Sequence, residues 1–260
     1  MADYILVRKS RNIISSVLHV IFNITLGVGS IILTCVSGSW AIGVLFVLVS
    51  KWRMFAVRPR YWLTNIKANL VDLIVGTSFV LIAYCSGTDI LPIHILVAIF
   101  YTLWLIILKP RSTEFATKCQ ALIAVFLGTT ASVLLFGSSD SAYLVVGAFI
   151  LGYAASRHIL IQSDDENFGL TTMVAGLCSA ELAWLLHSWL IVYSFDNTGI
   201  MIPQLSIILT IFSFLFNRIC ESVANHDGKI KSEDILIPAI FSIAAICMII
   251  FWFSKPIFDV

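Results

Sequence analysis

Two carboxylates stand inside long apolar runs of this sequence, Asp72 within 69–86 and Glu181 within 170–194. A charge at the centre of a bilayer costs about 2.5–3.5 kcal/mol on insertion scales, so each acid is expected to face other helices and to have a partner there. Such a pair could be protonated glue between helices, or a relay for a proton or small cation. Asn65, Asn69, Asp72 and Gly76 recur at the spacing of one helical face. Glu181 has Trp184 and Ser188 near its face and His187 nearly two turns on. His19 and Asn23 open a second polar row, continued by Gly27, Ser30 and Thr34, and Ser206, Thr210, Ser213, Asn217 and Glu221 form a third. Small and hydroxyl residues let membrane helices pack closely, and a hydrated path between these rows is the functional alternative. The relay candidates are Asp72, Glu181, His187, Asn69, His19 and Asn23.

A second chemistry belongs to the segment 51–67. Lys51, Arg53, Arg58, Arg60 and Lys67 alternate there with Trp52, Phe55, Tyr61 and Trp62, and no acid follows until Asp72. Trp and Tyr favour the headgroup level, and each basic residue close to an anionic membrane surface gains about 1 kcal/mol. The segment reads as an interfacial anchor, or as a pocket for a phosphorylated headgroup or an acidic partner. Arg58 and Arg60 flank Pro59, and the guanidinium fork suits a phosphate better than an ammonium does.

The elements that must position these groups follow from composition. The chain of 260 residues is 59% hydrophobic and only 12% charged, against about 25% charged in soluble domains. One soluble core could not hide that much apolar surface, so lipid must act as solvent. Without water, only helices and closed barrels satisfy the backbone. Barrel strands alternate apolar and polar residues, whereas 90–108 and 235–253 are continuously apolar. The expected fold is all-α: a polytopic bundle forming a single membrane domain, with about nine spans near 13–36, 39–54, 69–86, 90–108, 118–137, 141–161, 170–194, 201–219 and 235–254.

The span 39–54 is the weakest of these, since it reaches full length only if Lys51 and Arg53 snorkel from its end; a re-entrant segment is the alternative. The run 13–36 exceeds a signal-peptide core and reads as the first span, with cleavage near Gly38 as the alternative. Alternating the loops gathers the lysines and arginines on one side, with Lys255 alone on the other. That asymmetry predicts a cytoplasmic amino terminus, an external carboxyl terminus, and residence in the plasma (inner) membrane. All loops are short, so any site must lie in the bundle or at the inner face.

Other signals are structural. Ser163 and Glu166 fit a capping box, with Asp164 and Asp165 suited to a helix start; a magnesium site for phosphate chemistry is the alternative use of these acids. Six cysteines lack any zinc spacing, and Cys35 with Cys85 is the one pair in reach of an external disulfide. No P-loop, HExxH or nucleophile elbow occurs, so the sequence leans away from an enzyme, and no cofactor, metal or nucleic acid is expected. The expected partners are the bilayer, anionic lipids at the cytoplasmic face, and another membrane protein or a second copy. Three functions compete: movement of a small solute or proton through the bundle, a non-catalytic assembly subunit, and a binder or enzyme of lipid phosphates built on 51–67.

Overall fold

The structure, a computed structural model, describes residues 2–89, 92–161, 168–195, 198–226 and 229–252. Ten α-helices follow one another: α1 (Ala2–Ser37), α2 (Trp40–Ser50), α3 (Trp62–Ala68), α4 (Leu70–Cys85), α5 (Pro92–Leu103), α6 (Glu114–Phe136), α7 (Ser141–Leu160), α8 (Phe168–His187), α9 (Gln204–Asn225) and α10 (Ser232–Trp252). Between α8 and α9 lies one antiparallel hairpin of β1 (Val192–Phe195) and β2 (Ile200–Pro203), in the register Val192 to Pro203 through Phe195 to Ile200.

Six segments are long and apolar enough to cross a membrane: 17–37, α6, α7, α8, α9 and 232–251. A seventh arises if the bent pair Pro59–Ala68 and Leu70–Cys85 counts as one span; Trp40–Ser50 and Pro92–Leu108 are shorter apolar helices. Large apolar side chains cover the outside of the bundle, among them Phe22, Ile99, Met173, Leu177 and Phe241. A surface of that kind is stable in lipid and would aggregate in water. The protein is therefore a helical, multi-pass membrane protein.

Helix α6 is the wall on which the rest is hung. It packs against α4 on one side and against α7 and α9 on the other. Its Ala124 and Ala131 join the core cluster of Val47, Val75, Phe79 and Tyr101, while Ala121 and Val125 join that of Leu144, Ala148 and Leu209. Close approach depends on missing side chains. A Cβ on Gly152 of α7 would stand 2.8 Å from the Ala175 carbonyl oxygen of α8, and one on Gly43 of α2 would stand 2.7 Å from Val80 of α4. Lipid offers no hydrophobic drive between helices, so this dispersion contact is what joins them. α10 is peripheral: only 6% of its apolar window is buried, and it packs on α9.

Several expectations from the sequence need correction. The helix expected over 170–194 ends at His187, and 192–195 is a strand. Its apolar run continues through the break, but Val192, Tyr193 and Phe195 are β-formers that pair with Ile200 to Pro203, and Gly199 closes the turn at φ 72°. Pro203 is the last strand residue and caps the start of α9, and Pro238 lies inside α10. The helix expected at 13 starts at Ala2, and the span 39–54 is helical only over Trp40–Ser50 before a 3-10 turn at Trp52–Met54. Asn65 to Gly76 is not one continuous face, because the Pro59–Ala68 segment meets α4 at a 69° bend with Asn69 at the join. Cys35 and Cys85 are free thiols. The Ser163–Glu166 cap and the turn at Asp196 and Asn197 lie outside the described residues.

A test of the packing follows. Gly152→Leu should force α7 and α8 apart against backbone and cost more than the roughly 1–3 kcal/mol of ordinary overpacking. Gly169→Ala, where a Cβ meets nothing within 4 Å, should leave the melting temperature in detergent unchanged or slightly raised.

Candidate functional site

Asp72 sits in the first turn of α4, where three elements converge. Lys51, directly after α2, pairs with its Oδ2. Lys109 Nζ lies 2.9 Å from the same oxygen, and Trp104 donates its Nε1–H to Oδ1 at 3.2 Å. Lys109 reaches it because α5 does not continue as a regular helix: Trp104–Leu108 is a π turn, closed by Lys109 N–H donating to the Trp104 carbonyl at 2.9 Å. The lysine side chains are 7% and 37% exposed and that of Asp72 13%. Lys51 is therefore the committed partner and Lys109 the one open to solvent. Two lysine amines converge on one carboxylate, one of them buried with it.

Beside this cluster lies a basic elbow running from Lys51 to Ala68. Its fold is held by its own polar side chains. Trp62 Nε1 donates to the carbonyls of Phe55 and Val57 at 3.1 and 3.0 Å, Asn65 Nδ2 donates to Met54 at 3.3 Å, and Asn69 Nδ2 donates to Asn65 at 2.9 Å. Met54 is buried against the protein. Arg58, Arg60 and Lys67 are exposed, as are Trp52, Phe55, Tyr61, Trp62 and Leu63. The Arg60 guanidinium lies over the Tyr61 ring, 4.5 Å from its centroid, which holds the fork flat beside the aromatic. The side chain of Arg53 lies outside the described set.

The remaining candidates separate. Glu181 is exposed on α8, and its neighbours Leu177, Trp184 and Leu185 are exposed too. This corrects the expectation that it faces the bundle interior. The interior side of α8 is filled by Ala175, Gly176, Ser179 and Ala183 packing on α7, and Glu181 stands two residues from Ser179 and Ala183, about 200° round the helix. Asp72 and Glu181 thus occupy different environments. His187 is half-buried, and its Nε2 has no hydrogen-bond partner among the described residues. Asn23 and the exposed His19 bond each other at 3.1 Å along α1. The hydroxyl rows serve packing: Thr34 donates to the Ser30 carbonyl at 2.7 Å, Thr210 to the Ser206 carbonyl at 2.6 Å, and Thr130 to Ser206 Oγ at 2.9 Å.

Two further polar clusters were not singled out from the sequence. The buried Gln120 of α6 donates to the carbonyls of Leu108 and Arg111 at 2.6 and 3.0 Å and meets His158 Nε2 at 2.8 Å. Lys118 bridges Glu114 at 2.7 Å and Glu221 at 3.0 Å, and Arg218 lies 3.1 Å from Glu221. These residues flank a cleft of about 290 Å³ that also takes in Asn217 and Asn225. Lys118 and Glu221 pair across it, and Arg218 meets Glu221 from outside its lining. Among the described residues no group of three His, Cys, Asp or Glu side chains could hold a metal ion.

The chain matches no known family model, no curated protein and no solved structure. Function must be argued from these contacts alone. The signal for Lys109 was present, as a lysine ending an apolar run. What could not be read was the π turn that aims it at Asp72.

Removing Asp72 should leave two ammonium groups facing each other, one of them buried. Asp72→Asn should therefore lower stability by about 3–5 kcal/mol, the range for stripping one partner from a buried pair. Lys109→Met should cost much less, and Lys51→Met combined with Asp72→Asn should recover part of the loss. Thermal unfolding in a mild detergent reads all three.

Proposed function

We propose that this protein is a nine-crossing protein of the plasma membrane, amino terminus cytoplasmic, that binds the phosphate of anionic lipid headgroups at its inner-face elbow. One observation carries the reading: Arg58, Arg60 and Lys67 are all exposed on a segment that turns 69° away from α4 and contains no acid of its own. A segment bent away from a spanning helix suits the plane of the interface. Its exposed aromatics and basic forks are what that layer favours.

The nine crossings combine the six long segments with α4 and the shorter α2 and α5. The one-sided distribution of lysine and arginine supports that count and the orientation. Movement of a solute or proton through the bundle draws less support, because Asp72 is engaged by two lysines while Glu181 faces outward. A non-catalytic lipid-binding role is the more economical reading of the same residues.

Native mass spectrometry of the purified chain with phosphatidylglycerol against phosphatidylcholine tests the binding. The anionic lipid should be retained preferentially, and Arg58→Ala with Arg60→Ala should weaken retention by roughly thirtyfold, at about 1 kcal/mol per basic residue. Raising salt should act in the same direction. Unchanged retention in the double variant would remove the proposal. Topology is read separately: in a chain stripped of its native cysteines, a cysteine at Thr88 should label from outside and one at Ser112 only after permeabilisation.

A further inference from the structure

Along α8 one stripe stays uncovered: Leu170, Met173, Leu177, Glu181, Trp184 and Ser188 are all exposed. The helix carrying it is long and apolar enough to cross a membrane. Glu181 lies about 9 Å along the axis from His187 at the helix end, which is inside the hydrocarbon rather than at the headgroups. Among the described residues no ion pair or hydrogen bond involves its carboxylate. A carboxyl facing lipid tails at that depth is costly, whereas the leucines, methionine and tryptophan around it are at home there. The groove between α8, α9 and α10, about 360 Å³ and lined by Leu185, Trp189, Ile208, Phe212 and Ile243, adjoins the stripe at Leu185.

We infer that this face of α8 is a docking surface for a transmembrane helix of a partner protein, one that carries a lysine or arginine set against Glu181. Charge complementarity selects that occupant. An ammonium or guanidinium from a neighbouring helix would neutralise the carboxylate, while its apolar flanks cover Leu177 and Trp184. A second copy of this chain has no cation to offer at that level. Lys255 apart, its lysines and arginines lie toward the other side: even Arg218, within α9, is about 21 Å along the axis from Gln204, the end of that helix that shares a side with His187. Its exposed His19 lies about 27 Å along α1 from Ser37, the end that shares a side with His187. This depth argument rests on the nine-crossing topology proposed above; the charge argument does not.

The full chain, reconstituted in phosphatidylcholine vesicles with fluorescent leucine-based transmembrane peptides, gives the test. A peptide with one lysine a third of the way in from its outer end should associate roughly tenfold more tightly than the all-leucine peptide, as expected for one strong interhelical polar contact. The preference should vanish in Glu181→Leu and weaken in Glu181→Gln, and both variants should keep the wild-type melting temperature because the side chain is exposed. Equal binding of the two peptides, or a preference that survives Glu181→Leu, overturns the inference. Self-association of the wild-type chain that is lost in Glu181→Leu, without any lysine preference, assigns the face to a second copy and overturns it equally. Loss of the peptide preference with the cysteine-labelling pattern intact would remove the docking surface and leave the topology standing.

Discussion

In lipid, one apolar helix gains nothing from hiding against another, because the tails are as oily as its own side chains. What remains is dispersion contact, and that falls away steeply with distance. The whole bundle therefore depends on how closely backbones approach. Gly43 admits Thr34 and Val80, Gly76 admits the buried Tyr101, and Gly152 admits Ser179 and the α8 backbone. Each contact joins a different pair of helices. On α6, Gly128 likewise admits Leu151 of α7 and Ile74 of α4, so that this alanine-rich helix can serve two core clusters at once. Hydroxyls follow the same economy, donating to carbonyls of their own helix, so the polar rows that resemble a channel lining are packing surfaces.

The charges are then left to the ends of the helices, and the end that carries the elbow uses them in two ways. Where cation and anion balance, as in Lys118, Arg218, Glu114 and Glu221, they tie α6 to α9. Where exposed cations have no acid beside them, as with Arg58, Arg60 and Lys67 along the elbow, the surface keeps its positive charge uncompensated. The same contrast applies to Glu181 with the sign reversed.

Helix existence was legible wherever an apolar run reached spanning length, since lipid permits little else. Boundaries were not. The elbow could be read as basic and aromatic, but its 69° bend at Asn69 depends on tertiary contacts that composition does not record. The hairpin was hidden because Leu190 to Phe195 extends the apolar run of α8, and apolarity alone does not separate a strand from a helix end. Asp72 was recognised as an acid in need of a partner, and its flanking lysines were visible as span ends; that they meet it was not. The outward direction of Glu181 was readable in principle from the small residues opposite it, but an intramembrane acid is ordinarily turned inward, and that general rule prevailed over the local pattern.

The π turn at Trp104–Leu108 carries a consequence for how this protein can change. One added residue in a turn rotates everything after it by about 100° relative to a straight helix, and it is this rotation that lets Lys109 meet Asp72. The pairing is thus encoded in the length of the chain as much as in the identity of its members. A lysine can be exchanged here at modest cost, but a single-residue deletion anywhere between 104 and 108 would turn the ammonium away from the carboxylate while altering no charge at all. At this point, insertions and deletions are the mutations the fold is least able to absorb.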